Sequence, residues 1–223
     1  MQWVLFDASD PLSLVQGGSG TITDHLRAIG LFGNALYVSY EPAGGPEVQI
    51  YNVSDIASPS YVNSFFPTDQ IREFCFAGGH MYAATLPVVL VYSLADPLSP
   101  VLVDSYSKTE VRDLEAQGSF LHLVTTNEVE IVDISTPSAP VYMGSTTLPV
   151  ADWFERITVE GQFGYVGFMI NTPYSCWIWP PNSPAPLGPV HENELFEGGS
   201  LFANQGFLYQ GTGSWGIRIF DLY

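Results

Sequence analysis

The sequence predicts an all-β chain folded as a β-propeller of four-stranded blades, and three observations carry that expectation. A unit of 40 to 46 residues recurs along the chain. Each unit holds a hairpin with glycine or asparagine at its tip. No convincing stretch spaces its apolar residues at the helical interval, whereas alternation within each unit fits strands.

The recurring unit opens with an apolar strand followed by a polar turn. It appears as Val4-Leu5-Phe6-Asp7 with Asp10-Pro11, then as Ile50-Tyr51-Asn52 with Asp55 and Pro59. It returns as Val91-Tyr92-Ser93 with Asp96-Pro97 and Pro100, and most clearly as Ile131-Val132-Asp133-Ile134-Ser135 with Pro137 and Pro140. A degraded copy is Trp177-Ile178-Trp179 with Pro184 and Pro186, and the last is Ile217-Arg218-Ile219-Phe220-Asp221. Taking Asp7, Asn52, Ser93, Asp133, Trp179 and Asp221 as equivalent gives spacings of 45, 41, 40, 46 and 42. That is the length of a propeller blade.

After the proline comes a short strand: residues 61–65, 101–106 and 141–145. Next come two strands joined by a tight turn. The expected pairs are 26–31 with 35–40, 71–76 with 81–85, 111–116 with 120–125, 154–159 with 163–169, and 200–203 with 207–210. Their turns are Gly33-Asn34, Gly78-Gly79-His80, Gly118-Ser119, Gly161-Gln162 and Asn204-Gln205-Gly206. Glycine and asparagine tolerate the positive φ that such turns require.

Five hairpins predict five blades in a single domain spanning residues 1–223. The strands at 3–7 and 217–221 are the same element, so one is surplus. Two resolutions follow. The N-terminal segment through residues 12–16 supplies the outer strand of the final blade, which removes a sheet edge, or the chain is a fragment of a six- or seven-bladed propeller. The arithmetic favours the closed five-bladed form.

The run Ile131-Val132-Asp133-Ile134-Ser135, continued by Thr136-Pro137-Ser138-Ala139-Pro140-Val141 and a strand end carrying an aromatic residue, Gly144 and Ser145, resembles the LVIVD-repeat family. The resemblance covers nearly the whole chain, is strongest in the third and fourth copies, and is weak around residues 171–190. It implies a β-propeller and an extracellular or cell-surface, microbial setting. It implies no common enzymatic activity.

The chain carries 23 acidic and 6 basic side chains, a formal net charge of −17. Such a field repels phosphate backbones and anionic lipid headgroups, which argues against nucleic-acid and membrane-surface binding. No apolar run reaches the length of a membrane helix, and no basic, apolar leader opens the sequence. A highly soluble surface is the simplest account of the charge, with cationic partners compatible. Cys75 and Cys176 lack metal-ligand spacing and read as buried free thiols in different repeats.

The basic residues carry the strongest site signal. Six residues before the turn positions Gly33, Gly78, Gly118, Gly161 and Gln205 stand Arg27, Arg72, Arg112, Glu155 and Gly199, with Arg156 one place on. Nine residues before the first four of those turns stand Asp24, Asp69, Thr109 and Asp152, with Trp153 beside the last. The first strand of each hairpin is expected nearest the axis, so blade symmetry gathers these residues at one mouth of the channel. Planar guanidinium groups there suit a carboxylate, a sulfate or an array of sugar hydroxyls. The competing account is a ring of ion pairs within and between blades.

Catalytic signatures are missing from the sequence. His25, His80, His122 and His191 show no zinc spacing, and neither a nucleophile elbow nor a phosphate-binding glycine loop occurs. His25, next to Asp24, is the one acid–base candidate. Asp10, Asp55, Asp96 and Asp133 leave calcium as the one cofactor to weigh, but Asx turns before the prolines account for them better. The Trp- and Pro-rich stretch 176–186 suits either an aromatic patch or outer-strand packing. These features together predict a non-enzymatic extracellular or cell-surface module that binds a protein or glycan at the propeller mouth. A carboxylate-based hydrolase or lyase acting on carbohydrate is one alternative. A structural subunit self-associating through its terminal strands is the other.

Overall fold

The computed structural model describes residues 2–10, 12–22, 24–126, 128–147, 154–161, 163–168, 177–179, 188–189, 201–211 and 217–221. Among these, every regular element is a strand. The chain begins with β1 (Gln2–Asp7) and β2 (Val15–Thr21), paired with each other in a two-stranded sheet. Four four-stranded sheets follow, each a meander in chain order. The first contains β3 (Leu26–Phe32), β4 (Ala35–Tyr40), β5 (Glu47–Asn52) and β6 (Ser60–Phe65). The second contains β7 (Glu73–Ala77), β8 (His80–Ala84), β9 (Val89–Ser93) and β10 (Val101–Tyr106). The third contains β11 (Asp113–Gln117), β12 (Phe120–Val124), β13 (Glu128–Asp133) and β14 (Val141–Thr147). The fourth contains β15 (Phe154–Glu160), β16 (Phe163–Phe168), β17 (Trp177–Trp179) and β18 (Gly188–Pro189). A three-stranded sheet of β19 (Leu201–Asn204), β20 (Phe207–Gly211) and β21 (Ile217–Asp221) ends the chain.

All pairings are antiparallel and local, as expected of repeats that fold one sheet at a time. The sheets then pack through their leading strands: β3 lies against β7, β7 against β11, β11 against β15, and β15 against β19. This succession is the propeller-like feature of the fold. Middle strands are covered on both faces, so β4 is buried along its whole length, while the outer strands β6, β10 and β14 are largely exposed.

The core lies between sheets rather than within one. Tyr37, Ile50 and Ala83 belong to the cluster joining the first two four-stranded sheets. Tyr82, Val91, Leu121 and Leu123 join the second to the third. Val124, Ile131, Ile157 and Val166 join the third to the fourth.

The five hairpins fall where the sequence places them, and β4 matches its expected span. Gly33 and Gly118 take φ of 58° and 60° at the turns, a region glycine enters without steric cost. In the last hairpin the left-handed position is held by Gln205, with φ 52°.

Two expectations change. The leading strands of the second and third sheets begin at Glu73 and Asp113, two residues later than expected. The expected exchange at the seam does not form among the described residues. Segment 15–21 pairs with β1, and β21 pairs with β20 alone. The β1–β2 pair instead packs on the first four-stranded sheet, where Trp3 meets Tyr51 edge-on at 4.9 Å and shares a cluster with Leu36 and Val38. β1 and β21 carry the same pattern, and β2 pairs with β1, its neighbour in sequence.

Candidate functional site: an arginine-lined cavity

The arginines stand at the start of the leading strands. In the second sheet Glu73 pairs with Ala84, and the Arg72 amide donates to the same residue's carbonyl at 2.8 Å. In the third, Asp113 pairs with Val124, and the Arg112 amide donates to the Val124 carbonyl at 2.8 Å. In the first, the register shifts between Leu26 and Ala28, leaving Arg27 as the extra residue. Two residues opposite one bends the strand and redirects a side chain. In the fourth sheet the shift falls between Phe154 and Arg156, so Arg156 itself pairs, with Gly167.

These four arginines line one cavity of about 320 Å³, together with Gln70. They are four of the chain's six basic residues, set in a protein of net charge −17. Arg27 is half-exposed at the rim and pairs with Glu41 at 3.2 Å. Gln70 donates from Nε2 to the same Glu41 oxygen at 2.6 Å. The Nε of Arg72 is buried and makes no hydrogen bond within the protein.

Asp24 and Asp69, expected at the same mouth, accept neighbouring backbone amides. Asp24 accepts the His25 amide at 2.8 Å, and Asp69 accepts the Gln70 amide at 2.7 Å. Neither is among the residues lining the cavity. A short side chain in a loop reaches the next amide more readily than a neighbouring sheet. Asp152 and Trp153 lie outside the described residues, as do Cys176 and His191. Gln70 and Glu41 are the contributors that sequence reasoning missed.

Further along the leading strands, acids stitch one sheet to the next. Asp113 accepts the Ile157 amide at 2.9 Å, Glu115 accepts the Val159 amide at 2.9 Å, and Glu160 accepts the Gly206 amide at 3.3 Å. Burial and the charge of Glu73 raise the Asp113 carboxyl to about 7, against the pull of the Ile157 amide, Arg156 and the Leu114 amide. Burial also raises Glu73, opposed by the Phe74 amide and by Arg156. Ion pairing and cavity formation therefore coexist, since Arg27 and Arg156 each have an acid in reach.

The other candidates resolve simply. His25 is exposed, 4.0 Å from Asp24. His122 is buried on β12, and burial lowers it to about 4. Cys75 is a buried free thiol. Asp10, Asp55, Asp96 and Asp133 each accept the amide two residues on, at 2.7–3.0 Å, which is Asx-turn geometry. Among the described residues no group of three or more His, Cys, Asp or Glu side chains is placed to hold a metal ion.

Residues 109–147 match the LVIVD repeat. That span is the third four-stranded sheet together with the segment before it that carries Arg112. No curated protein matches the chain. Among solved structures it is similar to a protein from Lactobacillus plantarum, with a TM-score of 0.75 and 12% identity over 94% of this chain and 70% of that one. It is also similar to the computationally designed Ika8 protein, with a TM-score of 0.56 and 9% identity over 90% of this chain and 72% of that one. At such identities the likeness concerns the fold alone.

Proposed function

We propose that the chain is a non-enzymatic binding module that engages a protein or glycan partner, at the cell surface or outside the cell, through its arginine-lined mouth. We read the sheets as radial blades about one axis, five of them built on hairpins, with β1–β2 as an additional pair against the first. One observation carries the functional reading: four of six cations in a strongly acidic chain converge on one cavity. Repeat-equivalent placement on three consecutive blades, with Arg156 one position on in the fourth, makes a focused positive site inside a negative surface. A carboxylate-based hydrolase lacks comparable support, because Asp113 directs its oxygens at backbone amides and Glu73 directs one at the Phe74 amide.

A glycan array and an affinity pull-down with wild type and an Arg72→Ala/Arg112→Ala variant test this reading. The expected result is a set of ligands lost in the variant. Identical profiles remove the mouth from consideration. The structural-subunit reading has its own observation: Ile217 and Ile219 are exposed on β21, which pairs only with β20 among the described residues. A monomeric mass across a wide concentration range counts against it.

A further inference from the structure

Deepening the structural-subunit reading, on which it rests, we infer that copies of this chain join head to tail, with β19–β20 of one completing the sheet begun by β1–β2 of the other.

Each sheet turns a rear face to the sheet before it and a front face to the sheet after it. On the rear face of the first four-stranded sheet, Ile29 stands four residues before the turn position Gly33 and Leu31 two before, and they are 43% and 57% exposed. Phe74, Leu114 and Ile157, four before their own turns, are buried against the preceding sheet. The front faces behave in the opposite order. Three residues before the turn, Gly30, Cys75 and Thr158 are buried, whereas Phe202 of the last sheet is 56% exposed. The third strands agree. Val48, Ile50, Val89, Val91, Val129 and Ile131 are buried, while Ile217 and Ile219, at the same positions on β21, are 73% and 62% exposed.

These two end faces complement each other because the repeat already joins their counterparts. A Cβ on Gly30 would lie 2.7 Å from Phe76 and 3.1 Å from Phe74. Phe202 occupies the Gly30 position, and Ile29 and Leu31 occupy those of Phe74 and Phe76. A large side chain facing two medium ones fills the space of a glycine facing two large ones.

β1 decides which strands do the joining. Its Trp3 and Leu5 stand where Ile217 and Ile219 stand on β21, and Trp3 is already buried on the first four-stranded sheet. The β1–β2 pair has the bulged register of β5–β6, β9–β10 and β13–β14, which makes it the outer half of a sheet. Among the described residues β1 pairs with β2 alone, and Ile29 and Leu31 lie where an inner pair would pack. β19–β20 is such a pair. Exchanging β21 for the other copy's β1 sets Asp7 opposite Phe207, places Phe202 over Ile29 and Leu31, and closes the β1 edge. The contact is heterologous, so it propagates or closes a ring.

Sedimentation equilibrium of the full chain over a wide concentration range tests the inference. Mass is expected to rise with concentration, past the dimer, and association to strengthen as salt screens copies of net charge −17. Ile29→Glu/Leu31→Glu and Phe202→Glu are each expected to weaken self-association about tenfold or more. Their equimolar mixture keeps one intact face of each kind and is expected to stop at a heterodimer. Arg218→Pro/Ile219→Pro loosens β21, since one of two consecutive amides must face β20, and is expected to strengthen association. If a glutamate variant fails to fold, Leu31→Ser or Phe202→Ser replaces it. A monomer under every condition overturns both the inference and the structural-subunit reading, and leaves the arginine-lined mouth untouched. Undiminished self-association of Ile29→Glu/Leu31→Glu means that like surfaces meet, which overturns the inference and leaves the structural-subunit reading standing. Absence of the heterodimer, or loss of association in the proline variant, also overturns the inference.

Discussion

The carboxylate of Asp113, on β11, accepts the backbone amide of Ile157, on β15 of the next sheet, at 2.9 Å. The contact is buried, and its donor is a backbone group that would otherwise lack a partner. Two residues on, Glu115 makes the same kind of contact with Val159, so alternate side chains of one leading strand satisfy alternate amides of the next. Acidic side chains thus substitute for the strand-to-strand ladder where one sheet meets the next.

Asp113 makes stability depend on pH in an unusual direction. Its carboxyl titrates near 7 in the folded protein and near 3.8 when exposed. Between those values the folded state holds the proton that the unfolded state releases, so stability falls as pH rises through this window. The ionised form carries the penalty, from burial and from Glu73, with Arg156 offsetting part of it. Asp113→Asn keeps an acceptor for Ile157 and is expected to flatten this portion of the profile. Chemical denaturation from about pH 5 to about pH 8 measures it. A wild-type-minus-variant difference that stays constant across the range contradicts the assignment.

Thr158 links three sheets. Its Oγ1 accepts the Ala203 amide at 3.1 Å, and its hydroxyl hydrogen-bonds Glu115. Thr158→Val preserves shape but strands a buried amide, which costs about 1–3 kcal/mol. Thr158→Ser is expected to retain most of the stability. Amide hydrogen exchange provides a local check, since the Ala203 N–H should lose protection in the valine variant and keep it in the serine variant.

The repeat was legible because its two signals are local. Turn glycines must sit where φ is positive, and apolar alternation follows from a sheet covered on both faces. Arginine clustering was legible for a related reason: Arg27, Arg72 and Arg112 stand at one offset from the turn. Gln70 had no such signal, since the equivalent positions hold His25, Glu110 and Trp153. Asp24 and Asp69 share an offset yet satisfy neighbouring amides instead, a choice made by loop geometry that spacing does not encode. The fate of β1 and β21 was equally hidden, because both carry the same pattern and only packing decides which strand pairs β2.

Gly30 marks a close approach between the first two four-stranded sheets. A Cβ there would lie 2.7 Å from Phe76 Cζ and 3.1 Å from Phe74 Cβ. Phe76 has little freedom to retreat, being stacked on Phe32 at 5.6 Å and on Tyr37 at 5.8 Å between ring centroids. Gly30→Ala is expected to cost about 1–3 kcal/mol through overpacking. Phe76→Leu should recover part of that cost in a double-mutant cycle. Additive effects of the two substitutions would show that the rings adapt without strain.

Lys108 is the cation of a second acidic cluster, outside the cavity. Its ammonium pairs with Glu128 and Glu130, and Glu130 also accepts the Tyr106 hydroxyl. The Glu130 side chain is only 5% exposed, so removing the cation leaves a buried carboxylate with one neutral donor and a like charge beside it. Lys108→Met is therefore expected to destabilise the fold by about 3 kcal/mol at neutral pH. Burial alone would lower the lysine, but its bonds to the two glutamates raise it overall. Its contribution is accordingly complete below the ordinary lysine pKa and is lost as pH rises through the elevated one. Adding Glu130→Gln to Lys108→Met should restore stability at neutral pH. A double variant no more stable than Lys108→Met would mean that the loss comes from packing of the lysine stem rather than from the stranded carboxylate.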